Sequence, residues 1–160
     1  MFGLGWSGAA AAKADVVWPA LYLETRLWSV WPILAGLIVE FGVLRWAFDL
    51  EARKALLVDV AMNTASALVG AILIPLAGIV WEVFPGLVVY KMLGIGTFNP
   101  GTWAATFLFA VLITSLIERF VIARFFKISV SRRRFLWLCA ANAVSVGIAF
   151  ASLFIKPMES

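Results

Sequence analysis

The sequence predicts an all-α integral membrane protein with four transmembrane helices in two tandem helical hairpins, plus interfacial segments. Three observations predict this class. Hydrophobic residues make up 64% of the chain and the mean hydropathy is +1.01, whereas soluble domains are about 45–50% apolar. Four windows are each long enough to cross about 30 Å of hydrocarbon. Most lysines and arginines lie in two short connections between these windows.

The apolar windows cover residues 28–48, 56–80, 100–120 and 134–155. The stretch before them has aromatic residues around Pro19, which is typical of an interfacial segment. Lys13 and Asp15 interrupt the apolar run of a cleaved signal peptide, so we expect this segment to be retained. Residues 81–99 are too rich in glycine and proline for a regular span and too apolar for a solvated loop. We therefore predict an N-terminal interfacial segment (1–27), a first hairpin (28–80), an interfacial or re-entrant connection (81–99) and a second hairpin (100–160).

An internal repeat relates the two hairpins. Residues 38–70 align with residues 116–149 when one gap is allowed. The identical pairs are Glu40/Glu118, Val43/Val121, Arg45/Arg124, Arg53/Arg132, Leu57/Leu136, Ala61/Ala140, Asn63/Asn142 and Ser66/Ser145. Shared leucine or alanine can follow from membrane composition alone, whereas a repeated glutamate and a repeated Asn-x-x-Ser are harder to obtain by chance. We predict a duplication whose copies share one orientation and are related by an axis along the membrane normal.

Each copy places a glutamate near the end of its first helix and an asparagine inside its second, so the two side chains can meet at similar depth. This pattern predicts an intramembrane polar network of Glu40, Asn63, Ser66, Glu118, Asn142 and Ser145. Asp59 belongs to the predicted network in the first copy only, because the aligned residue of the second copy is Leu138.

Two interpretations of this network remain open. A carboxylate in hydrocarbon is costly and often functional, which favours a proton- or cation-linked site. Alternatively, contacts between Glu, Asn and Ser fasten each hairpin, as interhelical hydrogen bonds do. Asp59 extends a polar path in the first interpretation, and is an aspartate favoured by a helix N-terminus in the second.

The basic residues predict orientation. Nine of the thirteen lysines and arginines lie in Arg45–Lys54 and Arg119–Arg134, so the positive-inside rule places both connections in the cytoplasm and both termini outside. Basic side chains at a membrane surface also attract anionic headgroups. The candidate lipid contacts are Arg45, Arg53, Lys54, Arg124, Lys127, Arg132, Arg133 and Arg134.

The sequence contains no histidine and one cysteine, Cys139, so the commonest metal ligand and general base are missing. No metal, phosphate or nucleophile motif is present, and nothing identifies a cofactor. We expect a non-catalytic integral subunit or scaffold of a larger membrane complex in a bacterial inner membrane. Its expected partners are the lipid bilayer and other membrane subunits or further copies of the chain, and not nucleic acid. The alternative is a small homo-oligomeric transporter or channel that uses intramembrane Glu and Asn for proton- or cation-linked transport.

Overall fold

A computed structural model describes residues 19–94 and 99–155. This part of the chain is helical and contains no strand. The helices are α1 (Pro19–Leu27), α2 (Val30–Trp46), α3 (Ala52–Trp81), α4 (Leu87–Leu93), α5 (Pro100–Arg124) and α6 (Arg132–Ile155).

Three helical stretches are long and apolar enough to cross a membrane, namely Ala52–Leu93, Pro100–Arg124 and Arg132–Ser152. The predicted membrane class is therefore supported. The first predicted span corresponds to α2, which has 17 residues and is about 25 Å long at 1.5 Å per residue. That length lies at the lower limit for a span, so the fourth crossing stays a prediction.

The long helices bury small and polar residues and expose large apolar ones. In α2, Pro32, Gly36, Glu40 and Leu44 are buried at intervals of four residues, which places them on one helix face. Its other faces expose large side chains such as Trp31 and Ile38. This arrangement suits a bundle whose outer surface contacts lipid rather than water.

Two apolar clusters lie at opposite ends of the bundle. At the end that carries both basic connections, one cluster consists of Leu44, Phe48, Leu50, Ala55, Val58, Met62, Val121, Ile122 and Leu138. We call this the basic end. The cluster at the far end consists of Ala20, Leu23, Ile74, Ala110, Val111, Val146 and Ala149. The predicted polar residues lie between the two clusters along the chain.

The two basic connections have the same backbone geometry. Asp49 and Lys127 both take a left-handed conformation, with φ of 55° and 54°. The next residue in each case bonds back to the preceding helix, Leu50 N to Leu44 O at 3.3 Å and Ile128 N to Ile122 O at 3.2 Å. The repeat therefore keeps one register through both turns.

That register corrects one pair of the sequence alignment. The left-handed residues are 78 positions apart, as are Glu40 and Glu118, so the gap falls after the turns and not before Arg45. Arg45 then corresponds to Ala123, and the Arg45/Arg124 identity is wrong. Contacts between helices follow the same relation, because α2 packs on α6 as α5 packs on α3. The duplication and the two-hairpin layout themselves stay predictions.

The predicted connection 81–99 contains a kink at Glu82–Gly86, followed by the short helix α4. Phe84 leaves the helical region there, at φ −155° and ψ 109°, so α3 and α4 are separate helices. A Cβ on Gly86 would lie 2.6 Å from the Trp81 carbonyl oxygen, so glycine allows the chain to fold closely onto the end of α3. Residues 95–98 lie outside the described part.

The predicted N-terminal segment contributes α1, which packs against α3, α5 and α6. Its Ala20 and Leu23 are fully buried in the far cluster. The part of the segment before Pro19 lies outside the described residues, and its expected place at the membrane interface stays a prediction.

Replacement of Gly78 by alanine is expected to weaken the packing of α1. A Cβ at Gly78 would lie 2.7 Å from the Ala20 Cβ, closer than two carbons approach without a backbone shift, and such overpacking costs about 1–3 kcal/mol. Thermal unfolding of the purified protein in detergent measures the loss. Gly42→Ala is the control, because nothing lies within 4 Å of a Cβ there. Equal melting temperatures for the two variants would contradict the proposed close packing of α1.

Candidate functional site

The first glutamate–asparagine pair joins α2 to α3. Asn63 Nδ2 donates to Glu40 Oε2 at 2.6 Å. The same amide nitrogen also lies 3.0 Å from the Asp59 carbonyl oxygen and 3.1 Å from Asp59 Oδ1. One helical turn later, Ser66 Oγ donates to the Asn63 carbonyl oxygen at 3.1 Å. Four of the predicted residues therefore form one hydrogen-bonded group.

The second pair joins α5 to α6 with the same bonds. Asn142 Nδ2 donates to Glu118 Oε2 at 2.5 Å and to the Leu138 carbonyl oxygen at 3.2 Å. Ser145 Oγ donates to the Asn142 carbonyl oxygen at 3.0 Å. Leu138 stands where the first copy has Asp59, so this group lacks the third carboxyl.

The two groups meet inside the bundle. Asn63 Nδ2 lies within hydrogen-bond distance of both Glu40 Oε2 and Asp59 Oδ1, and the Ser66 hydroxyl lies beside the Glu118 carboxyl of the other copy. The reciprocal approach occurs at Gly36, where a Cβ would lie 3.7 Å from Ser145 Oγ and 3.6 Å from Glu40 Oε1. The structure thus brings all the predicted network residues into one layer, which we call the polar layer.

The carboxyl groups of the polar layer are withdrawn from the surface. Glu40 and Asp59 are 1% exposed and Glu118 is 0% exposed. Within residues 19–94 and 99–155, none of the three forms an ion pair with lysine or arginine, and Glu118 Oε1 has no hydrogen-bond partner. An unpaired carboxylate in hydrocarbon costs several kcal/mol. The layer therefore requires protons or bound cations to offset its negative charge.

A cleft between α2 and α3 reaches the polar layer. Its volume is about 380 Å³, within the range of small-molecule sites. The walls are apolar and include Trp28, Ile33, Leu37, Leu68, Ala71 and Ile74. The floor is polar and includes Glu40, Asn63, Ser66, Thr114, Asn142 and Ser145. Ile33 and Leu68 are exposed on the outer surface, so the cleft opens sideways toward the surface that would contact lipid.

The cleft distinguishes the two copies. Both members of the first pair, Glu40 and Asn63, line the cleft, whereas Asn142 is the only member of the second pair that does, and it is 3% exposed. By the register of the turns, Gly36 in α2 corresponds to Thr114 in α5, whose hydroxyl donates to the Ala110 carbonyl oxygen at 2.8 Å. Gly36 lets α2 approach α6 closely, since a Cβ there would lie 3.4 Å from the Ser145 Cβ. We did not predict Gly36 or Thr114 as site residues, although the same alignment places them opposite each other.

A second polar cluster at the far end was also not predicted. Tyr90 donates to Glu82 Oε1 at 2.9 Å and lies 2.6 Å from Thr102 Oγ1. Asn99 caps α5 by accepting from Thr102 N at 3.0 Å. These contacts join α4 to the start of α5. The signal in the sequence was the Asn-Pro pair at 99–100, a helix-start pattern.

The predicted lipid-binding residues divide into two groups. Arg134 is held by the protein, since its Nε donates to the Ala47 carbonyl oxygen at 3.1 Å and its guanidinium lies 5.1 Å from the Phe48 ring centre. Arg45 donates to the Leu50 carbonyl oxygen at 2.6 Å. The remaining predicted contacts are exposed, namely Arg53, Lys54, Arg124, Lys127, Arg132 and Arg133.

In the part of the chain that the structure describes, no group of three or more His, Cys, Asp or Glu side chains is placed to hold a metal ion. Comparison with protein-family models, with curated proteins and with solved structures finds no match for this chain. The fold and the polar layer are therefore interpreted from the residues themselves.

Loss of the Asn142 amide is expected to destabilise the protein more than loss of Asn63. Asn142→Ala removes the amide donor of the fully buried Glu118, whose Oε1 already lacks a partner, and an unsatisfied buried group costs about 1–3 kcal/mol, or more if charged. Asn63→Ala leaves Glu40 facing a cleft that water can enter, so its cost is expected to be smaller. Chemical or thermal unfolding in detergent measures both. Thr64→Ala on the outer surface of α3 is the control, and an Asn142→Ala variant as stable as this control would contradict the assigned bond.

Neutralising different arginines of the basic end is expected to distinguish an arginine that stabilises the fold from arginines that bind lipid. Arg134→Gln removes the link to Ala47 and Phe48, and we expect a lower melting temperature from a loss of about 1–3 kcal/mol. Arg132→Gln with Arg133→Gln is expected to reduce retention of anionic lipid, at about 1 kcal/mol per charge, without a comparable loss of stability. Lipid analysis by native mass spectrometry beside thermal unfolding tests this. The opposite assignment of the two effects would contradict it.

Proposed function

We propose that this protein is a small membrane transporter in which Glu40 couples the movement of a solute to that of a proton or cation. The observation that supports this proposal is the opening of the polar layer into the cleft between α2 and α3. A buried carboxyl beside a partly open, mostly apolar space can exchange its proton or cation partner when a solute enters. In this proposal Asn63 and Asp59 hold Glu40 in position, and the second copy supports the layer from behind.

The difference between the two copies supports a transport function rather than a purely structural role of the Glu–Asn hydrogen bonds. A hydrogen bond that only holds two helices together is strongest when it is shielded from water, because water competes for its donor and its acceptor. The Glu118–Asn142 bond is closer to that condition, because Glu118 is 0% exposed and does not line the cleft, although Asn142 does. In the Glu40–Asn63 bond both residues line the cleft. A role in holding the helices together does not by itself require both partners of a bond to line an open cleft.

The proposed topology has four membrane crossings, namely the three long apolar stretches and, in addition, α2. Both basic connections then face the cytoplasm and both termini lie outside, in a bacterial inner membrane, and the two hairpins derive from a duplication. Positive residues near the short connections support this orientation. Two or more copies of the chain can assemble so that their clefts form one path, and other membrane subunits are the alternative partners.

The second candidate is a non-catalytic subunit or scaffold of a membrane complex. The Glu118–Asn142 bond favours it, because this bond joins α5 to α6 and its carboxyl, 0% exposed, does not line the cleft. Purification from the native membrane in mild detergent separates the candidates. Stoichiometric recovery of other membrane proteins supports the scaffold, and recovery of this chain alone supports the transporter.

Glu40→Gln is expected to abolish proton-linked flux while the protein still folds, because glutamine retains a partner for Asn63 but exchanges no proton. Proteoliposomes with an enclosed pH dye are exposed in turn to gradients of sodium, potassium, small amines, carboxylic acids and neutral sugars. At least one solute is expected to shift the internal pH faster than in protein-free liposomes.

Glu51→Gln, at an exposed position before α3, is the matched control and is expected to retain the flux. Two results would contradict the proposal: no solute moves protons with the native protein, or Glu40→Gln changes only the melting temperature.

A further inference from the structure

The donors on the cleft floor are already used within the protein. Asn63 donates to Glu40 and Asp59, and Asn142 donates to Glu118 and Leu138. The hydroxyl groups of Ser66, Ser145 and Thr114 donate to main-chain carbonyl oxygens of their own helices. Apart from the exchangeable proton of Glu40, the polar side chains that line the floor therefore have no free N–H or O–H for a ligand.

The free groups on the floor are acceptors. Glu40 Oε1 receives no hydrogen bond from the described residues, since Asn63 bonds to Oε2. It lies at the floor beside Gly36, 3.6 Å from the place a Cβ would take there. Behind it, Glu118 Oε1 is buried and also lacks a partner. A ligand complementary to this floor donates hydrogen bonds and carries positive charge.

The walls of the cleft favour a ligand whose main part is apolar. They consist of aliphatic side chains and Trp28, and the cleft opens sideways between the exposed Ile33 and Leu68. A strongly hydrated solute gains nothing from such walls and loses its water, whereas an apolar body gains about 25 cal/mol for each Å² removed from water. The volume of the cleft suits a compact molecule rather than a long lipid chain.

We propose that the cleft between α2 and α3 binds a protonated primary or secondary amine carried on a compact apolar body, which enters from the lipid side and places its ammonium group on Glu40 Oε1. This inference rests on the proposed transport function, because it gives the substrate class of the same site. Charge balances when one ammonium enters and one proton leaves Glu40 for water. The N–H groups of the ammonium fill the acceptors that the protein leaves open.

Three probes of one shape separate charge, hydrogen bonding and apolar contact. They are 1-aminoadamantane, 1-adamantanol and N,N,N-trimethyl-1-adamantylammonium, titrated calorimetrically into the full chain in lipid nanodiscs, with empty nanodiscs as blanks. The amine is expected to bind at least about tenfold more tightly than either analogue, the factor that corresponds to one charge-assisted hydrogen bond. Titration in buffers of different ionisation enthalpy is expected to show proton release on binding.

Two variants of α2 test the place of binding. Gly36→Ala puts a methyl group 3.6 Å from Glu40 Oε1 and 3.4 Å from the Ser145 Cβ, and is expected to weaken amine binding about tenfold or more. Its melting temperature is measured beside that of the native protein, because the methyl group also contacts α6. Gly42→Ala lies on the same helix with open space around it and is expected to change nothing. Glu40→Gln is expected to remove both amine selectivity and proton release. If Glu40→Gln fails to fold, the glycine pair still decides the location.

Equal binding of the alcohol and the amine would overturn the inference, since apolar walls alone would then explain it. Equal binding of the trimethylammonium compound would overturn the requirement for hydrogen-bond donors. Absence of binding by all three probes overturns the substrate class, while proton flux driven by another solute keeps the transport function. Selective amine binding without flux in proteoliposomes upholds the ligand class and overturns transport.

Discussion

The cost of a carboxyl group in hydrocarbon is the constraint on which the rest of this bundle depends. Two glutamates and an aspartate lie between two apolar clusters, and each glutamate receives an amide donor from the neighbouring helix. These bonds set the rotation of all four long helices, because each helix must turn its polar residue inward. The small residues around the layer, Gly36, Ser66 and Ser145, then allow the helices to approach closely enough for the bonds to form.

The polar layer could be predicted from the sequence because a repeated Glu and Asn-x-x-Ser are conspicuous in apolar windows, and a short connection forces their helices together. The alignment of Arg45 with Arg124 was wrong because the position of a single gap is poorly determined by sequence identities alone. The main-chain hydrogen bonds to Leu44 and Ile122 determine the alignment of the two turns. The kink at Phe84 agrees with the glycine and proline content of its connection, whereas the short helix α4 after it was missed because glycine and proline lower helix propensity locally. The cleft depends on how far two helices separate, which no residue pattern encodes.

The two copies of the repeat contribute different features to the polar layer. The second half has Leu138 and Thr114 where the first has Asp59 and Gly36, so it contributes one carboxyl fewer to the polar layer. In the proposed function, the second half holds the polar layer in place and the first half admits the solute. Stability and access are then assigned to different halves of one chain of 160 residues.

The Arg134 link between the ends of α2 and α6 also bears on movement of the bundle. It closes the basic end together with the cluster around Phe48 and Leu50. If α2 tilts against α3 in the proposed transport, the largest displacement is therefore expected at the opposite end, near Trp28. There Ala20 of α1 meets α3 at Gly78 with almost no clearance, and residues 28–29 alone connect α1 to α2. Widening of the cleft would have to carry α1 along or break its contact with Gly78.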